Sequence, residues 1–178
     1  MTSYYPCASM ISVPEVDITT PTSAQKYPLG YIHTTYASDA ITEVTEWIYI
    51  QALGAALTAY IPKVLTLGGV AAGTFIPSAP VTLGAPGARV IVPQVAFTSG
   101  YYGFAAIKGV CTAAVKAETY VVGDAAQLLS GGVTLVVDGS TGDKVRLVNT
   151  CGFYMAGGTT ALNKKVCLLG EQAVIAAT

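Results

Sequence analysis

Short runs of β-branched, aromatic and aliphatic residues, each cut off by glycine, proline or aspartate, are what most constrains the fold of this chain. Such runs are too brief for a helix to bury one face, whereas a strand needs only a handful of residues. The clearest is 46–51, EWIYIQ, in which Trp47, Tyr49 and Gln51 alternate with Glu46, Ile48 and Ile50, the two-residue period of a pleated strand. Runs at 63–67, 81–83, 90–98, 101–115, 119–122, 133–137, 144–148, 166–169 and 172–176 also read as strands. Turns are expected at Ser99-Gly100, Gly123-Asp124, Gly131-Gly132 and Asp138-Gly139, because glycine accepts backbone angles that a side chain resists. The alanines and leucines of 52–62 admit a short helix, but Gly54 and Pro62 favour a loop or bent strand equally. No internal repeat of fixed period is present. The expected fold is all-β, a compact sandwich or barrel of short antiparallel strands.

Two regions are expected within the 178 residues. Residues 1–28 carry Pro6, Pro14, Pro21 and Pro28 among serines and threonines and show neither hydrophobic period, so they read as an extended N-terminal arm that orders only by lying on something. Residues 29–178 read as a single β-rich domain.

Only 11% of the side chains are charged while 52% are hydrophobic, against about a quarter charged in an ordinary soluble domain. A free monomer of this composition must leave apolar surface in water, which marks contact with other proteins or a membrane. The 19-residue uncharged run from Leu65 to Leu83 holds three glycines and two prolines, which argues against a membrane helix. The N-terminus lacks the basic and apolar segments of a secretion signal, so synthesis in the cytoplasm is expected. A net charge of -1 without a basic cluster argues against nucleic acid as a partner.

Residues that could carry chemistry are few. His33 is the sole histidine; with an acid such as Asp39 it could serve a nucleophile, but no GxSxG elbow accompanies it. Ser23 and Lys26 form SxxK inside a proline-flanked segment, where coincidence is the better reading. Asp39, Glu43 and Glu46 could hold a cation, though a solvated turn before the Trp47 strand is the simpler assignment. The loop from Asp138 to Asp143 has oxygen-bearing side chains but not the length of an EF-hand, and reads as a hairpin. Cys7, Cys111, Cys151 and Cys167 make no CxxC pair and read as small buried hydrophobes. Neither a P-loop nor a dinucleotide fingerprint is present. The expectation is a protein that is not an enzyme, with no catalytic site, no metal and no cofactor.

A resemblance adds to this. Tyr27-Pro28-Leu29-Gly30, then Glu46-Trp47-Ile48-Tyr49-Ile50-Gln51-Ala52, then Tyr101-Tyr102-Gly103-Phe104-Ala105-Ala106-Ile107-Lys108-Gly109, then Val122-Gly123-Asp124 is similar to small head proteins of tailed bacteriophages over roughly residues 27–175. The resemblance implies a decoration (cement) protein on the capsid surface of the virion. Its implied partners are the major capsid protein and neighbouring copies of itself, as a homo-oligomer for which a trimer is one form. The alternatives are a tail, fibre or spike subunit, and a host-glycan-binding module. Because tyrosine combines an apolar face with a polar tip, the eleven tyrosines draw attention to intersubunit contacts. The expected contact residues are Tyr4, Tyr5 and Tyr27 in and beside the arm, and Tyr101, Tyr102 and Phe104 in the aromatic strand.

Overall fold

The computed structural model describes residues 13–37, 40–67, 75–78, 89–128, 134–137 and 150–170. Within them lie one short helix, α1 (Glu15–Thr19), and ten strands: β1 (Ile32–Ala37), β2 (Ala40–Gln51), β3 (Lys63–Leu67), β4 (Phe75–Ser78), β5 (Arg89–Pro93), β6 (Tyr102–Ala114), β7 (Ala125–Leu128), β8 (Leu135–Val137), β9 (Thr150–Tyr154) and β10 (Asn163–Leu168). Every strand ladder is antiparallel. The all-β fold is therefore as expected, and among the described residues its sheet is open, not closed into a barrel. Expected elements at 81–83, 144–148 and 172–176, and the loops at Gly131-Gly132 and Asp138-Asp143, lie outside the described residues.

β6 is the spine. Its path of neighbours runs β4-β3-β5-β6-β10-β9-β7-β8, with β2 branching from β6 and carrying β1. Ala105 and Ala106 are paired with β5 on one side and β2 on the other, so β2 shares the edge that β10 occupies further along. The handover falls at Gly109, which is paired with both Thr45 of β2 and Leu168 of β10. Just before it the register slips, Glu46 opposing Lys108 and Trp47 opposing Ala106. The extra residue reverses which face later side chains occupy. Accordingly Ala106 shares a core with Cys111, Ala113 and Val115, odd positions that would otherwise face the other way.

Burial on both faces follows. On one side Ile48, Ile50, Leu57, Leu65, Ile91, Phe97, Ala105 and Ile107 cluster. A larger cluster on β6 and beyond includes Val90, Val92, Tyr120, Leu128, Leu135, Tyr154 and Val166. Ala105, Ala106 and Ala113 are fully buried, and such small side chains on the spine let both layers close over it. The far end is held by a clasp: Val115 and Leu135 form an isolated parallel bridge, and the Lys116 N–H donates to the Leu135 carbonyl at 2.9 Å. On the other edge of β6, the Gln94 carboxamide accepts from the Thr112 N–H at 3.1 Å and donates to its carbonyl at 2.9 Å, doing with a side chain what a further strand residue would do.

Four strands start from one turn design. In 28–31, 58–61, 98–101 and 121–124 the fourth N–H donates to the first carbonyl, at 3.1, 3.4, 3.0 and 3.2 Å. The third residue is left-handed each time: Gly30 (φ 81), Tyr60 (φ 66), Gly100 (φ 85) and Gly123 (φ 92), as a type II turn demands. The N–H of that third residue reaches a neighbouring carbonyl, of Tyr49, Pro93, Ala52 and Tyr154 respectively. β1, β6 and β7 follow directly, and β3 follows after Pro62. The residue before each turn, Tyr27, Leu57, Phe97 or Tyr120, is buried and anchors it.

Candidate functional site

Residues 13–28, read as part of an extended arm, lie on the sheet of their own chain. Thr22 and Tyr102 exchange backbone hydrogen bonds of 2.9 and 2.8 Å. Pro14, with its fixed φ, precedes α1, a start that costs no hydrogen bond. Ile18 points down into an aromatic cluster with Val13, Tyr27, Tyr49 and Phe104. Tyr49 and Phe104 lie 5.0 Å apart between ring centres, and Tyr27 lies 5.2 Å from Tyr49 and 5.4 Å from Phe104; aromatic pairs in such tilted geometries add about 0.5–1.5 kcal/mol each beyond their burial.

A polar clamp fixes the return of this segment. Asp17 accepts from Lys26 Nζ at 2.5 Å and from the Tyr27 hydroxyl at 2.6 Å, and the Lys26 N–H donates to the Tyr49 hydroxyl at 3.0 Å. The hydrogen bonds from Lys26 and Tyr27 hold the Asp17 carboxyl below its usual range. The same bond to Asp17, with burial, pushes Tyr27 up to about 12.

Between α1 and the β1–β2 hairpin lies a half-open cleft of about 490 Å³, lined in part by Glu15, His33, Tyr36, Glu43 and Trp47. Alternation along β1 turns His33 and Thr35 toward it, and His33 sits opposite Trp47 in the ladder. The Trp47 Nε1–H donates to Thr35 Oγ1 at 2.7 Å, and the Thr45 hydroxyl donates to the Val110 carbonyl at 2.6 Å. Two of the hydroxyls in the wall are thus already engaged. Glu43 pairs with Lys165 of β10. What the cleft offers is an aromatic wall, one imidazole and a carboxylate rim, groups suited to holding a peptide or side chain.

The other groups singled out in the sequence are dispersed. Glu46 pairs with Lys108 at 3.2 Å, apart from the Glu43–Lys165 pair, so each acid has its own cation; Asp39 lies outside the described residues. Lys26 of the SxxK pattern is held by Asp17. Among the described residues no group of three His, Cys, Asp or Glu side chains could hold a metal ion. Cys111 and Cys151 are buried free thiols and Cys167 is partly exposed; burial pushes Cys151 up to about 12 and Cys111 further, which leaves neither as a ready thiolate.

The expected contact residues separate into three groups. Tyr4 and Tyr5 lie outside the described residues. Tyr27 and Phe104 are corrected: both are covered by their own chain, at 8% and 1% exposure, and a ring so enclosed has no face left for a neighbour. Tyr101 and Tyr102 are half-buried, and Tyr102 stacks on Tyr49 at 6.3 Å while its backbone holds Thr22. Composition identified residues that need cover but not whose chain supplies it. Among the described residues the large apolar side chains left in water are Val16, Ile32, Tyr36, Leu53, Val121, Val122, Met155 and Leu162. Of these, Val121 and Val122 fell at the end of an expected strand and Leu53 in the run 52–62 that admits a short helix, and no sequence signal marked the three as exposed. No protein-family model matches the chain, and no curated protein matches it in sequence.

Proposed function

We propose that the chain is a structural subunit of a tailed-phage virion, seated on the assembled capsid lattice as a decoration protein that ties neighbouring subunits together. The sequence resemblance supplies the class of assembly. The observation that carries the reading is the turn at 121–124. Its backbone is held by the bond from the Asp124 N–H to the Val121 carbonyl, by the Gly123 N–H on Tyr154, and by the Asp124 carboxylate, which accepts from the Val121 N–H at 2.7 Å. Yet this rigid turn presents Val121 and Val122 to water, at 59% and 67% exposure. The same construction at 98–101 carries Thr98 and Ser99 in the corresponding places, so the fold does not require valine there.

Polar residues are the ordinary choice for such tips. A fixed apolar tip is preorganised to insert into a partner and loses little freedom on doing so. Burying the remaining surface of each valine is worth roughly 1 kcal/mol, modest for one copy but additive over a shell with many identical sites.

The test is co-sedimentation of the purified protein with expanded heads that lack it. Saturable binding that raises the heads' resistance to heat, and that is weakened by Val121→Ser with Val122→Ser, is the expected result. A folded wild-type protein that does not bind overturns the capsid reading.

A further inference from the structure

Among the described residues the sheet ends in three strands that are paired by a ladder on one side only: β4, β8 and β1. Open strand edges invite further pairing, and proteins usually block them. β4 contains Pro77, which has no N–H for another strand. β8 has three residues and is tied back through Leu135 to Val115 and Lys116, and through the Val137 N–H to Glu118. Among the described residues β1 has none of these devices. Its six residues, IHTTYA, include no proline, glycine, lysine or acid.

The phase of the β1–β2 ladder shows which groups face outward. The Tyr49 N–H donates to the Tyr31 carbonyl at 2.9 Å, and with 33↔47 and 35↔45 in register residues 33 and 35 turn their backbone groups toward β2. On the other side of β2, the bonds between Ala52 and residues 100–101 give the same phase. Ile32, Thr34 and Tyr36 therefore direct their N–H and C=O groups to the open edge. Their side chains are exposed as well, Ile32 at 42% and Tyr36 at 69%.

We propose that β1 pairs antiparallel with β1 of a second copy of this chain, about a twofold axis at Thr34, so that one sheet runs through the dimer. The strand matches itself. Thr34 meets Thr34 of the other copy and Ile32 meets Tyr36, cross-strand pairs of a favourable kind, and all three residues exchange both of their outward hydrogen bonds. No like charges oppose one another. A basic or acidic foreign strand would find no opposite charge on β1, which is why a second copy fits better than a charged peptide. The uncharged edge is also consistent with the chain's 11% charged residues.

The experiment is sedimentation equilibrium of the full chain with two variants of Thr34. Thr34→Pro removes one outward N–H and leaves the bonds to β2 in place; Thr34→Lys puts like charges on the axis. Wild type is expected to be a dimer, and each variant to dimerise at least about tenfold more weakly, with unchanged circular dichroism and, at concentrations low enough for wild type to be monomeric, an unchanged urea midpoint. If Thr34→Pro disturbs the fold, Thr34→Lys, altered only at an exposed side chain, still decides the matter. A monomeric wild type, an odd-numbered ring, or variants that associate as tightly as wild type would each overturn the proposal. Head binding is a separate outcome: a dimer that ignores heads removes the capsid reading alone, and a monomer that binds them removes this one alone.

Discussion

Replacing Gly109 by alanine tests the handover between β2 and β10 most directly. At φ +83 a non-glycine residue is strained by about 1–2 kcal/mol. A methyl group built there would come within 1.8 Å of the Val44 carbonyl oxygen and 2.8 Å of its carbon, both backbone atoms of β2. Relief requires β2 to move away from β6, which disturbs the Thr45–Gly109 pairing and the bond from the Thr45 hydroxyl to Val110. Overpacking of this kind, with the hydroxyl bond stretched or lost, adds about 2–3 kcal/mol. Gly100 is the control: its φ is +85, but nothing lies within 4 Å of the added carbon, so Gly100→Ala should show the strain alone. Both variants gain equally from a stiffer unfolded chain, so that effect cancels. Urea unfolding should place Gly109→Ala about 2–3 kcal/mol below Gly100→Ala. A difference smaller than about 0.5 kcal/mol would refute the reasoning and mean that β2 is not anchored at this point.

Two further outcomes follow from side chains at the aromatic clusters. The Asp17 carboxyl is held low, so its contribution is present above the ordinary carboxylate pKa and is lost as pH falls through the folded value; Tyr27 is pushed up to about 12, so its contribution is present below the ordinary tyrosine pKa, near 10, and is lost as pH rises from there through about 12. The urea midpoint of wild type should therefore drop at both extremes, with the acid part missing in Asp17→Asn and the alkaline part in Tyr27→Phe; an unchanged acid or alkaline limb in the matching variant contradicts the clamp. The Tyr154 hydroxyl is buried with no hydrogen-bond partner among the described residues while its ring stacks on Tyr120 at 4.6 Å. Tyr154→Phe should accordingly keep or raise stability by up to about 1 kcal/mol, whereas a loss of more than that in thermal or urea unfolding would show that the hydroxyl is bonded.

Much of the strand content was legible because it is written locally. The run at 63–67 is β3 with the same limits, 101–115 contains β6, and the alternation at 46–51 marks the end of β2. Gly100 and Gly123 stood out because a left-handed turn position favours glycine. Tyr60 occupies the same kind of position and left no such trace, since its φ is imposed by bonds from its N–H to Pro93 and from Ala114 to its carbonyl. β7, with the sequence AAQL, has little β-propensity of its own and is a strand because β8 and β9 flank it. α1 and β1 were missed for a related reason: one turn of helix and a threonine-rich edge carry too little periodicity to be recognised alone.

The sequence by itself determined that this chain makes short strands, that glycine would launch several of them, and that its apolar excess needs cover. Those properties depend on each residue's own backbone preferences and on its near neighbours. Only the tertiary structure decided which cover is internal. Tyr27 and Phe104 look as suited to a partner as Ile32, Tyr36, Val121 and Val122 do, yet the first two are enclosed by α1, β2 and β6 while the last four remain in water. Burial is a property of where distant segments arrive, and here the register slip before Gly109 and the return of residues 13–28 decide which apolar side chains the chain covers and which it leaves exposed.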